Sequence, residues 1–269
     1  MSAGFKLTRR PIISVIAGSK TDATAKVDLA GTYGVVGSAI NINGLHDGML
    51  FERELANSEA ANVKFYLSHT GSAPTSSTGM YQLCNADGTE IVSVVTQNTR
   101  RGYPLRGVSG KYLLTYGKGA SSTAADLSAF LGGNHIYDNK AGGDSRLLGK
   151  SQALVASATN LTGSTADVGV AVDIRGLGNL TLYVNNTGDD NAVISVYAAF
   201  LAAEPTATTN MYPLADAAGN ILTFTALATE LAAFPLLNVS GDYLMIRGVH
   251  AVGGTATITA HLFGNATGV

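Results

Sequence analysis

The chain contains one segment twice. Met80-Tyr81-Gln82-Leu83 returns as Met211-Tyr212-Pro213-Leu214, 131 residues later. At the same spacing Tyr103-Pro104-Leu105 becomes Phe234-Pro235-Leu236, and Val108-Ser109-Gly110-Lys111-Tyr112-Leu113 becomes Val239-Ser240-Gly241-Asp242-Tyr243-Leu244. Ala86, Gly88 and Gly133-Asn134 also recur, as Ala217, Gly219 and Gly264-Asn265. Upstream the spacing is 132: Leu29, Gly31, Ile42, Gly44 and Leu45 return as Leu161, Gly163, Ile174, Gly176 and Leu177. Chance matches in a Gly- and Ala-rich chain would not stay collinear over about a hundred residues, so the repeat sets the architecture. One residue is gained or lost near Asn57 or Asp189. The division that follows is an arm over residues 1–26, a unit over 27–134, a Gly-containing connection over 135–158 and a second unit over 159–266.

Each unit reads as short strands. Val170, Val172 and Ile174 alternate with Ala171, Asp173 and Arg175, the period of a half-buried strand. Leu180, Leu182 and Val184 repeat the pattern, as do Ile258, Ala260 and Leu262. Turn-forming clusters separate these runs, among them Asn185–Asn191 and Asp216–Asn220. The expected fold is all-β: two tandem duplicated antiparallel β-sandwich units, jelly-roll-like. Gly110 and Gly241 are expected in turns before a strand, and Pro104 and Pro235 at strand starts or edges. Ala226–Ala233 is expected to be a variable loop with room for one short helix.

Only 13% of the 269 residues are charged, about half the usual share, and mean hydropathy is +0.19. No apolar run reaches the length of a membrane span; Ala192–Ala203, the nearest, is interrupted by Ser195. A net charge of −2 gives no reason to expect nucleic acid as a partner. So little charge means that the surface is covered by Thr, Ser, Asn, Gly and Ala, or is hidden against other subunits. The single cysteine, Cys84, forms no intramolecular disulfide, which fits synthesis in a reducing cytoplasm.

No familiar catalytic motif is present, and the expectation is a protein that is not an enzyme and carries no cofactor or metal. The histidines, His46, His69, His135, His250 and His261, form no close ligand pair. Glu52, Glu54 and Glu59 could include a glycosidase pair, but a solvated strand face accounts for them too. Gly188-Asp189-Asp190-Asn191 could hold Ca²⁺ or be a plain hairpin turn. Tyrosines recur as Tyr66/Tyr197, Tyr81/Tyr212 and Tyr112/Tyr243, which suggests shared core packing more than a sugar-stacking site. The sequons at Asn160, Asn179, Asn185, Asn238 and Asn265 matter only in a eukaryotic secretory setting.

Charge is distributed unevenly. Residues 1–26 hold Lys6, Arg9, Arg10, Lys20 and Lys26 against Asp22, whereas the second unit holds eight acids against Arg175 and Arg247. Arg9-Arg10 before Pro11–Gly18 loosely mimics a signal peptide, but Pro11 opens a short stretch better suited to an edge strand or docking arm. The candidate docking residues are Lys6, Arg9, Arg10, Ile12, Ile13, Val15 and Ile16. Such an arm would gain backbone hydrogen bonds and apolar burial by adding to the sheet edge of a neighbour, and would order only there.

A small Gly/Ala/Thr-rich, Trp-free chain of duplicated β-sandwiches with a short basic arm resembles the virion proteins of tailed bacteriophages, nearest to capsid decoration (cement) and head-fibre proteins. The resemblance implies a virion protein made in the host cytoplasm. It would bind the major capsid protein or another shell protein and glue neighbouring capsomers, or project from the shell, as a homo-oligomer and most often a trimer. The implied partners include neither nucleic acid nor membrane. A receptor- or carbohydrate-binding module of a tail fibre or adhesin is the competing class.

Overall fold

The computed structural model describes residues 6–17, 27–54, 59–97, 99–120, 125–139, 145–147, 149–153, 158–201, 203–216, 218–237 and 239–266. The first ten strands are β1 (Lys6–Ala17), β2 (Val27–Leu29), β3 (Gly34–Asn41), β4 (Leu45–Glu54), β5 (Ala61–Ser68), β6 (Tyr81–Leu83), β7 (Val92–Val95), β8 (Arg100–Pro104), β9 (Tyr112–Gly119) and β10 (Ala125–Asn139). One sheet has the order β1-β10-β4-β8, with β2 also on β10. The facing sheet runs β6-β5-β9-β3, with β7 also on β5. Period-two burial decides which side faces inward: Ala61, Val63, Phe65 and Leu67 of β5 are buried, and the residues between them are not. Leu50 of β4 and Leu127, Ala129 and Leu131 of β10 meet them from the opposite sheet.

The second unit repeats this order strand for strand. After β11 (Ser145–Leu147), which pairs with β10, come β12 (Gly149–Ala153), β13 (Thr159–Leu161), β14 (Ala166–Asp173), β15 (Leu177–Asn186), β16 (Ala192–Ala199), β17 (Tyr212–Pro213), β18 (Thr223–Ala226), β19 (Leu231–Leu236), β20 (Tyr243–His250) and β21 (Ala256–Ala266). One sheet is β12-β21-β15-β19 with β13 on β21; the other is β14-β20-β16-β17 with β18 on β16. Register is conserved as well: Leu50 pairs with Leu131 as Leu182 pairs with Leu262. With β1/β2 and β6/β7 each counted as one strand, the first sheet of a unit takes its first, eighth, third and sixth strands, and the second its second, seventh, fourth and fifth. That interleaving is a jelly roll. The chain is two tandem copies of it.

The spacing change falls between β4 and β5 in one unit and between β15 and β16 in the other. Residues 55–60 connect the first pair and 187–191 the second, one residue fewer. Pro104 ends β8, an edge strand, and Pro235 lies in β19 beyond the two residues paired with β6. Three expectations are corrected. Ala226–Ala233 forms no helix: β18 ends at Ala226, β19 begins at Leu231, and Thr229 turns the chain with φ of 61°. Among the described residues the only helix is a 3₁₀ turn, Thr208–Asn210. The 135–158 connection holds the end of β10 together with β11 and β12; Ala141-Gly142-Gly143-Asp144 lies outside the described residues. Residues 6–17 are not a detached arm, since β1 is a strand of the first unit's own sheet.

The units are fused edge to edge. β6 pairs in parallel with β19, through Gln82 with Ala232 and Leu83 with Ala233, so that one ten-stranded sheet crosses both sandwiches. This is the only parallel pairing among the described strands.

Candidate functional site

The junction gathers several buried polar side chains, supplied by the turn before β9, the middle of β15 and the end of β21. The turn before β9 inserts Ser109 against β15 and β21. The Ser109 amide donates to Thr181 Oγ1 at 2.7 Å, its hydroxyl to the Phe263 carbonyl at 2.7 Å, and Thr181 Oγ1 to the Gly107 carbonyl at 2.9 Å. Tyr183 donates its hydroxyl to the Ser109 carbonyl. Burial pushes the Tyr183 phenol well above its ordinary value, so it stays a neutral donor. Asn265 makes two further ties, accepting from the Gly44 amide at 3.1 Å and donating to the Leu45 carbonyl at 2.7 Å. Ser109, Thr181, Tyr183 and Asn265 are completely buried.

An aromatic stack covers this network. The His69 ring lies 5.0 Å from that of Tyr183 and 4.6 Å from that of His261, and the Tyr81 ring lies 5.1 Å from Tyr183 at 84°. Burial, with His261 beside it, lowers His69 to about 4, and burial lowers His261 as well, so both rings are neutral at pH 7. Gly110 is required here, because a Cβ would collide with the Tyr183 hydroxyl and approach the Ser68 carbonyl to 3.1 Å. Beside the junction an apolar groove of about 370 Å³ opens between Leu83, Tyr103, Leu214, Phe224 and Phe234. Cys84 lines it, but burial pushes its thiol up to about 12, which leaves it an inert apolar group.

The other sequence candidates are dispersed. Glu52 and Glu54 are not on a solvated face. Both are buried in the first unit's core, and Ser93 Oγ donates to Glu52 Oε2. Burial raises Glu52 to about 7 against the opposing effects of Ser93 and Arg101. The Asp189-Asp190 turn spends its carboxylates on backbone. Asp190 accepts from the Asn191 amide at 2.8 Å and the Val252 amide at 2.7 Å, and Asp189 from the Thr255 amide at 2.7 Å. No group of three or more metal-ligating side chains occurs among the described residues.

For the docking candidates the backbone places Lys6 opposite Asn139, Arg9 opposite Ile136, Arg10 opposite His135, Ile12 opposite Gly133, Ile13 opposite Gly132 and Val15 opposite Phe130. Ile16 lies at the bulge between Val15 and Ala17. The expectation that this segment orders only on a neighbour is corrected: β10 of the same chain already supplies the edge. Tyrosine recurrence also misled in one case, because Tyr81 is packed at the junction whereas its repeat partner Tyr212 is exposed. Sequence reasoning missed Ser109, Thr181 and Asn265. Their one signal was that Ser109 and Asn265 lie in the repeated Val-Ser-Gly and Gly-Asn pairs.

No family model matches the chain, and no curated protein matches it. Solved structures overlap it loosely. The PBSX exported protein XepA is 9% identical, with a TM-score of 0.28, over 94% of this chain and 86% of its own. PNGase F, a glycosylasparaginase from Flavobacterium meningosepticum, is 8% identical, with a TM-score of 0.28, over 97% and 96%. A223, a turret protein of Sulfolobus turreted icosahedral virus, is 6% identical, with a TM-score of 0.21, over 97% and 98%. The expectation that the chain is not an enzyme is corrected by this set, which includes PNGase F and two oxalate decarboxylase structures. Lack of a familiar motif does not separate the chain from enzymes, and overlaps this loose lend it neither their activity nor a role.

Proposed function

We propose that the chain is a structural virion protein of the decoration or cement kind, one that binds shell proteins and associates with further copies of itself. The observation that carries this reading is the surface. Two jelly rolls fused through one sheet present Val170, Phe200, Tyr212, Ile221, Leu237 and Val252 to solvent, each at least half exposed, on a chain with unusually little charge. Large apolar side chains on a weakly charged, rigid block are suited to being covered by a partner. The sequence resemblance to phage virion proteins supplies the kind of partner, a capsid lattice. The test is co-sedimentation of purified protein with undecorated capsids from a phage that carries a homologue. Saturable binding at a fixed ratio to capsomers supports the reading, and absence of binding to such shells contradicts it.

Exposed Tyr212 also favours a second reading, a carbohydrate- or receptor-binding module, because an exposed ring can stack on a sugar. A glycan array would then give a specific signal that is lost in Tyr212→Ala. An array without signal removes this alternative.

A further inference from the structure

Contacts at the junction have counterpart positions in the other unit, and there the side chains reach solvent. On β15, Thr181 and Tyr183 are fully buried beneath the first unit, yet their equivalents on β4, Met49 and Phe51, are 36% and 38% exposed. On the covering side, His69, Tyr81 and Ser109 of the first unit correspond to Phe200, Tyr212 and Ser240 of the second. Ser240 is exposed, Phe200 is 73% exposed and Tyr212 78%. One pair of complementary surfaces is therefore used in the middle of the chain, and the same pair stands open at its two ends.

We propose that a second copy of this chain docks head to tail through these ends. Phe200 and Tyr212 of one copy would cover Met49 and Phe51 of the next, on the face where His69 and Tyr81 pack on Tyr183 and Ser109 meets Thr181 within the chain. The substitutions suit a contact between molecules. Phe200 stands where the inner contact has His69, Met49 where it has Thr181 and Phe51 where it has Tyr183, so the hydrogen-bonded inner surface is replaced by a more apolar outer one. Backbone register sets Ile13 and Val15 of β1 in the same cross-strand rows as Met49 and Phe51; in those rows the second unit has Ser151 and Ala153. The two units also differ in charge at equivalent positions: Arg100 and Arg101 of β8 replace Leu231 and Ala232 of β19, and Asp242 replaces Lys111 before β20, so the two ends carry opposite signs there. Pro213 stands where β6 has Gln82 and has no N–H to give to a ladder, so the contact lies between faces and does not extend the sheet. A contact between two different surfaces either closes into a ring or continues as a filament.

This inference rests on the assembly reading only in requiring that copies associate, so the test uses the full chain without shells. Light scattering across a concentration series should show particles of more than one chain. Phe51→Glu and Tyr212→Glu, each at an exposed side chain, should keep the native circular dichroism and weaken association at least roughly tenfold. Phe200→Asp provides a second lesion in the Tyr212 surface. An equimolar mixture of Phe51→Glu and Tyr212→Glu should form two-chain particles, because one intact surface of each kind remains. The proposal is overturned by a monomer at every concentration, by oligomers that survive both changes, or by a mixture that stays monomeric. Shell binding by such a monomer would leave the virion reading standing, and oligomers that ignore shells would leave the head-to-tail contact standing.

Discussion

Glu52 enters the first unit's core from β4 at the position where the second unit has Val184, and Glu54 enters where the second unit has Asn186. The second unit's solution is neutral: Asn186 donates to the carbonyls of Asp190, Ala226 and Leu227 at 2.8–3.2 Å. The first unit's solution depends on pH. Glu52 has an ordinary value of 4.5 when unfolded and is raised to about 7 when folded, so between these values the native state holds the extra proton. Stability should be full below pH 4.5 as far as this group is concerned. It should fall as pH rises through 7, by about 3 kcal/mol in total. His69 acts in the opposite sense, since its lowered value makes the native state lose stability as pH falls below 6.5. Urea midpoints of wild type and Glu52→Gln at pH 5 and pH 8 separate the two. The difference between the proteins should grow in favour of Glu52→Gln at pH 8, and an unchanging difference would contradict the assignment. At the junction, Tyr183→Phe keeps the ring but leaves the Ser109 carbonyl without its donor. It should cost roughly 1–3 kcal/mol of unfolding free energy.

Among the elements, β1 shows most clearly where sequence reading stops. Its apolar residues, its proline and its flanking charges marked a strand seeking an edge, and the structure gives it one. Which edge it takes was not legible, because strand pairing is decided by contacts distant in sequence and β10 lies more than a hundred residues away. The jelly-roll order was legible only as a count of strands and a repeat. The repeat fixed that the two halves share a topology, while the crossing of β6 to β19 has no local signature. Residues 55–58, within the connection that changes length, lie outside the described set. The pairing of β1 makes a prediction opposite to that for a free arm. Deleting residues 1–26 should lower the thermal midpoint and strip amide-exchange protection from residues 130–139 of β10, since that stretch loses one of its neighbours. Unchanged protection in β10 would show that β1 does not pair there in solution.

For the molecule as a whole, the repeat carried one misleading inference and one productive one. Recurrence suggests a shared core at Tyr81 and Tyr212, yet the two differ because one meets a neighbouring unit and the other meets solvent. Equivalent residues in a duplicated chain have equivalent surroundings only within their own unit; at the faces between units, the ends of the chain differ from its middle. The shared sheet and the buried Ser109–Thr181–Tyr183 network also mean that the halves should not unfold separately. Calorimetry should give one transition with matching calorimetric and van't Hoff enthalpies, and two resolved transitions would contradict a fused block. The head-to-tail contact is proposed from the same geometry and is the central claim about how copies associate. It can be tested with two single-cysteine changes, because the native Cys84 is buried and its thiol inert. Chains carrying Phe51→Cys and chains carrying Tyr212→Cys, mixed and treated with a short thiol cross-linker, should give a covalent dimer containing one chain of each kind. Neither variant alone should cross-link appreciably. Dimers formed within a single variant, or no cross-link in the mixture, would contradict the contact.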